Sequence, residues 1–305
     1  MKNARAFLVA LWLPLLVPPL RAQSTLFDIA KTGTPMAIQE SIINGAEINA
    51  HEQDGVTALM YAAGYNQNPE VIVVLMKAGA DVQARNVYGT TTLMYAAYRN
   101  QNPEIISLLV KGGADINAHD KHQVTAVMFG AGYNKNPEVV SALLREGADI
   151  KLRDDNGLTA LIYAAEYNQN PEVFSILLKA GAEINARKNG GGTALIDAAA
   201  YNSNPEVVSV LLRAGADINA QSEDGVTALM AAAEQNQNPE VISVLLKAGA
   251  DINAQDAGGR TAFIRAAEYS NNPEIISVLV EAGIDINAHD KNGVTVMDPK
   301  NWTRQ

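Results

Sequence analysis

Pro69, Pro103, Pro137, Pro171, Pro205, Pro239 and Pro273 stand 34 residues apart without a slip, and no other feature constrains the chain so strongly. The threonines Thr57, Thr91, Thr125, Thr159, Thr193, Thr227, Thr261 and Thr295 keep the same step, as do the glycines from Gly45 to Gly283. A strict period of this size belongs to a solenoid, because one unit is too small to bury a core alone and must stack on its neighbours. Counting back one period from Thr57 lands on Gln23. The spacing therefore implies a degenerate capping repeat over 23–56, seven full repeats over 57–294 and a C-terminal capping stub over 295–305.

Each unit reads as two short helices. In the unit that opens at Val56, Leu59, Ala62 and Ala63 follow the spacing of a buried helix face, with Tyr61 and Tyr65 roughly opposite. The motif YNQNPE at 65–70 then punctuates. Asn66 is expected to end the first helix in a left-handed conformation, which Asn tolerates better than most residues. Asn68 is expected to cap the second helix, with Pro69 at its first position and Glu70 complementing its dipole. Val71, Ile72, Leu75 and Met76 point inward, and Ala78-Gly79 closes the helix. About a dozen residues without helical periodicity lead to the next threonine.

These residues, TALMYAA at 57–63, VIVVLMKAGAD at 71–81 and the extended stretch closing in Gly89, resemble the ankyrin repeat across essentially all of 23–305. Tetratricopeptide units share the period but carry a Trp, Gly and Tyr signature that is missing here. The resemblance implies an all-α solenoid of stacked short helix pairs with extended turn tips. The chain departs from the family's Thr-Pro-Leu-His in writing Thr-Ala-Leu-Met, Thr-Thr-Leu-Met or Thr-Ala-Leu-Ile, and it places one extra residue between the helices. In the first unit Leu26, Phe27 and Ile29 stand near the helix-one positions and Pro35 keeps phase. At the far end Asp298-Pro299 is expected to start a short helix, with Trp302 covering the last apolar face.

Residues 1–22 read as a secretory signal peptide: Lys2 and Arg5 precede an uncharged run from Ala6 to Leu20, and Ala22 supplies the small residue before cleavage. The run is too short and too broken by Pro14, Pro18 and Pro19 for a spanning helix, so no membrane span is expected in the mature chain. An exported location follows, periplasmic first and fully secreted second. With no cysteine, disulfides, thiolate metal sites and thiol catalysis are excluded. The formal charge of −10 becomes −13 once Lys2, Arg5 and Arg21 are removed, which argues against nucleic acid as a partner.

Nothing in the sequence gathers into a catalytic or metal constellation, and neither enzyme activity nor a cofactor is expected. His51, His119 and His289 share a position that other units fill with Arg or Gln, as solvated turn residues would. Asp81, Asp115, Asp149, Asp217, Asp251 and Asp285 recur once per unit, which suits a local turn hydrogen bond.

Recognition is expected where units vary inside the constant frame. One row on the first helices reads Tyr61, Tyr95, Phe129, Tyr163, Asp197, Ala231 and Arg265. A second reads Tyr65, Arg99, Tyr133, Tyr167, Tyr201, Gln235 and Tyr269. The resemblance implies that both rows line a concave face, with tyrosines as interface anchors or stacked as a structural ladder. Asp155, Glu166, Asp197, Glu223, Asp224 and Glu234 add an acidic centre, while Arg99, Lys121, Arg260, Arg265 and Lys291 lie toward the ends. The expected function is binding a protein partner with a basic patch. Two alternatives stay open: a protective or inhibitory partner of a periplasmic enzyme, and a cell-wall carbohydrate binder that uses the Tyr and Asn rows.

Overall fold

The structure, a computed structural model, describes residues 25–293 and Thr295. The leader over 1–22 and, at the other end, Asp298, Pro299 and Trp302 lie outside the described residues. Among the described residues sixteen helices run in pairs: α1 (Leu26–Thr32) and α2 (Pro35–Ile43), α3 (Ala58–Tyr65) and α4 (Pro69–Lys77), α5 (Thr92–Arg99) and α6 (Glu104–Lys111), α7 (Ala126–Tyr133) and α8 (Pro137–Arg145). The second half continues with α9 (Ala160–Tyr167) and α10 (Pro171–Lys179), α11 (Ala194–Tyr201) and α12 (Pro205–Arg213), α13 (Ala228–Gln235) and α14 (Pro239–Lys247), α15 (Ala262–Tyr269) and α16 (Pro273–Glu281). Odd helices pack on odd and even on even, which makes two layers.

The inner, odd helices close tightly because their facing positions are small. Ala62, Ala63, Ala96, Ala97, Ala164, Ala165, Ala198 and Ala199 are fully buried. Leu59, Leu93, Leu161 and Leu195 meet Ile72, Ile106, Val140 and Phe174 of the outer layer in one continuous core. Each inner helix begins at a threonine, and in all but α7 its hydroxyl caps the helix, as Thr57 Oγ1 accepts from Met60 N at 3.3 Å. Each outer helix ends in a glycine of positive φ with paired turn bonds, Gly79 N to Met76 O and Ala80 N to Leu75 O, both 3.0 Å. Between pairs a hairpin projects, pinched by single bridges such as His51 to Thr57. Its tip is tied to the next: Val87 N donates to Asp54 O at 2.9 Å, Lys121 N to Tyr88 O at 3.0 Å. The Asp after the Gly-Ala pair holds its own turn, as Asp81 Oδ1 accepts from Gln83 N at 2.8 Å.

The first helix pair keeps phase. Leu26 and Ala30 are buried against α3, Phe27 meets the Tyr61 ring edge-on at 6.2 Å, and Thr34 caps α2 in place of an asparagine. Met36 and Ile43 stand exposed where α4 carries Glu70 and Lys77.

The asparagines correct the sequence reading. Asn68 does cap α4, accepting from Glu70 N at 3.0 Å. Asn66, however, is extended rather than left-handed (φ −84°, ψ 124°). Its side chain reaches back to the preceding unit, and every equivalent does the same. Asn100 Nδ2 donates to Ala63 O and Asn66 O at 2.8 Å, and Asn134 Nδ2 to Ala97 O and Asn100 O at 2.8 Å. Asn168 and Asn236 repeat the pair, while Asn202 donates to Asn168 O alone, and all six are buried. The carbonyls they satisfy sit at and just beyond the helix C-terminus, where no intrahelical donor exists. Each Oδ1 meanwhile accepts from the amide two residues on, as in Asn102 N to Asn100 Oδ1 at 2.9 Å. Ser270 takes this place in the last full repeat and makes only local bonds.

Replacing Asn168 by Ala strands two buried carbonyls and one amide. It should cost about 2–4 kcal/mol, against about 1 kcal/mol for Asn170→Ala, which removes only a cap. Urea unfolding followed by circular dichroism measures both. Equal losses would show that the buried amide does no more than a cap.

Candidate binding groove

Inner helices and hairpins meet in an angle, and the side chains that fill it decide what the groove can hold. The first variable row is not a free surface. Tyr163 and Asp197 are only 8% and 4% exposed, and Ala231 and Arg265 are buried too, because this row turns back on the hairpin that leads into its own helix, nine residues earlier. Tyr61 Oη donates to the Glu52 carboxylate, and Tyr95 Oη accepts from Asn86 Nδ2 at 3.3 Å. Tyr163 Oη donates to Asp154 Oδ2 at 3.0 Å. In later units the partners become charged: Lys188 lies 2.8 Å from Asp197, and Arg265 lies 2.6 Å from Asp256. Phe129 is partly buried and takes no such bond. The expectation that Tyr163 and Asp197 offer themselves to a partner is therefore corrected: they brace helix to hairpin. The Tyr163 phenol is pushed well up, by burial first and then by the Asp154 charge, so it stays a neutral donor.

The second row is exposed. Tyr65, Tyr133, Tyr167, Tyr201 and Tyr269 all reach solvent, Tyr167 at 49% and Tyr201 at 53%. Rings also touch from unit to unit. Tyr133 stacks on Tyr167 at 4.8 Å, and Tyr98 meets Tyr133 edge-on at 5.2 Å and Phe129 at 5.9 Å. The Arg99 guanidinium lies over Tyr98 and Tyr65 at 4.8 and 5.1 Å. Anchor and ladder thus coexist in the same rings. Tyr98 is absent from the sequence-derived rows because it falls one residue earlier, at the position of Gly64 and Gly132. Aligning that column across units exposes it as the aromatic among small and acidic residues.

The acidic centre is smaller than the sequence suggests. Lys188, unremarked among the basic residues at the two ends, folds inward and neutralises Glu166 at 2.7 Å and Asp197 at 2.8 Å. Gly192 makes room, since a Cβ there would come within 2.9 Å of Lys188 Cε. Glu234 is likewise spanned by Arg265 of the next unit. Asp155, Glu223 and Asp224 remain exposed at hairpin tips, with His122 lying 3.9 Å from Asp155. The column of Asn86, Asp120, Asp154, Lys188, Ser222 and Asp256 shows Lys188 as the odd residue, a signal open to sequence comparison.

Two further expectations meet the geometry. The shared histidine position is structural: His51 and His119 place Nδ1 3.0 Å from a carbonyl of their own hairpin, and Arg85, Arg153 and Arg187 donate from that position to the next unit's backbone. The carbohydrate alternative drew on the asparagine row, whose buried amides are spent on backbone partners. Only the tyrosines remain to stack on a sugar.

Two carboxyls share the Lys188 ammonium, Glu166 at 2.7 Å and Asp197 at 2.8 Å. Burial lowers the Lys188 pKa, but its two acidic partners outweigh this and hold it above the usual value. Burial, aided by the Glu166 charge and opposed by Lys188, pushes Asp197 up to about 6. A carboxyl harder to ionise folded than unfolded costs stability once it is ionised. That cost is absent below about pH 4, grows with pH and is complete above about pH 6. Relative to Asp197→Asn, the wild type should lose roughly 3 kcal/mol between pH 4 and 7 in urea titrations. Parallel pH profiles would contradict the assignment.

Fold and groove together define an all-α solenoid of helix-pair repeats with a variable, tyrosine-lined inner face. A family model described as ankyrin repeats (3 copies) matches residues 26–120, 126–222 and 198–290, and the chain belongs to the ankyrin-repeat family. No curated protein matches the chain. Ankyrin repeats are generally protein–protein interaction scaffolds and typically non-enzymatic. Among the described residues no helix is long and apolar enough to cross a membrane.

Proposed function

We propose that this protein is an exported scaffold that holds a protein partner in the groove between its inner helices and hairpin tips. One observation supports this above the rest: Tyr65, Tyr98, Tyr133, Tyr167, Tyr201 and Tyr269 are exposed along the inner layer, whereas the outward positions of the outer helices carry pairs such as Glu138 with Arg145 and Glu240 with Lys247. Exposed tyrosines offer large contact area at low entropy cost, and buried anchors of this kind carry most interface energy. The free acids Asp155, Glu223 and Asp224 favour a partner with a basic patch, steering it by a field that salt weakens.

Tyr133→Ala combined with Tyr167→Ala should weaken capture of the partner from envelope extract at least tenfold, with the melting temperature lowered by only a few degrees. Unchanged capture would remove the groove from consideration. A periplasmic enzyme as the captured protein would narrow the reading to a protective or inhibitory role.

Export rests on residues 1–22, where the charged start, the apolar run and Ala22 combine. N-terminal sequencing of the protein from its native cells should read from Gln23. A chain that begins at Met1 would overturn the export and the periplasmic location with it.

A further inference from the structure

The cations of the groove divide into two kinds. Lys188, Arg260 and Arg265 are each tied to acids of the inner face. Arg99 and Lys121 are not. Arg99 has only the faces of Tyr98 and Tyr65 beneath it, which hold the guanidinium flat while leaving it exposed. Lys121 stands exposed at a hairpin tip, with its backbone tied to Tyr88 O and its ammonium in no ion pair among the described residues. Beside it, at the tip of the preceding hairpin, are Val87 and Tyr88, the latter 62% exposed. In a chain of net charge −10, the groove between Tyr65 and Tyr133 is thus aromatic and cationic, while Glu223 and Asp224 occupy the tip three hairpins beyond Lys121. At about 10 Å per stacked helix pair the two zones lie roughly 30 Å apart, several Debye lengths at physiological salt. Each therefore selects its own counter-charge.

Resting on the groove as a protein-binding surface, we infer that it is polar along its length and that the Arg99–Lys121 zone receives an acidic, apolar-studded stretch of the partner. The basic patch of the same partner meets Glu223 and Asp224, so the partner docks in one direction only. Arg99 is suited to a carboxylate because its planar donors are already oriented by the two rings, so little further side-chain entropy is lost on binding. Tyr88 and Val87 take the apolar residues between the acids.

The test uses two fluorescein-labelled 15-residue peptides, one of repeated Glu-Pro-Leu and one of repeated Lys-Pro-Leu, with anisotropy read at physiological ionic strength, where the two zones are screened from each other. The acidic peptide should bind the full chain and lose at least tenfold in affinity to Arg99→Glu with Lys121→Glu. The basic peptide should lose its affinity instead to Glu223→Lys with Asp224→Lys. All four residues are exposed and the two cations make no ion pair among the described residues, so each variant should keep the wild-type circular dichroism spectrum. An acidic peptide that ignores the first variant, or that does not bind the wild type, overturns the assignment. So does a single-stranded oligonucleotide of equal charge binding more tightly than the peptide, which would make the zone a nucleic-acid surface. Tyr-dependent capture of a partner alongside a negative peptide result would leave the groove standing and remove only its polarity.

Discussion

A buried asparagine amide, repeated from α3 to α13, holds this solenoid in register. At the end of each of these six inner helices it gives its NH2 to carbonyls of the unit before, which have no helical donor left, and turns its oxygen to the loop that starts its own outer helix. The need for it arises from the packing. Alanine-lined helices approach so closely that their C-terminal carbonyls are shut off from water, and an unpaired buried carbonyl is costly. A polar side chain is the one way to satisfy them, and at fixed length it also sets the offset between neighbours. In five repeats the half-buried second asparagine of the motif adds a parallel tie, as in Asn136 Nδ2 to Gln101 O at 2.7 Å.

Regular offset is what brings the rings of the inner row together. Tyr98, Tyr133 and Tyr167 sit on three successive inner helices, and their contacts at 4.8 and 5.2 Å require those helices to be placed alike. Neighbouring repeats keep the frame and vary the pair that joins hairpin to helix: Asp154 with Tyr163, Lys188 with Asp197, Asp256 with Arg265. Each pair closes between one hairpin and the helix that follows it, so its identity changes without disturbing the stack. Sign and size of the groove wall are thereby free to differ from unit to unit, which suits a scaffold that reads a partner along its length.

The period, the helix pairs and the caps at Asn68 and Gly79 are all legible in the residues alone. Caps, turns and hydrophobic spacing act over a few positions, so the sequence by itself determined them. What lay beyond it were contacts about 34 residues apart or across the hairpin angle. Asn66 could be read only as a local terminator, because its partners Ala30 and Gly33 belong to another unit. Tyr163 and Asp197 looked like surface residues on a helical wheel, since a wheel omits the hairpin that folds over them. Lys188 looked like one more solvated cation until folding brought Glu166 of the preceding inner helix, α9, beside it. Burial and ion pairing are properties of neighbours, and only the stacked tertiary structure decides who the neighbours are.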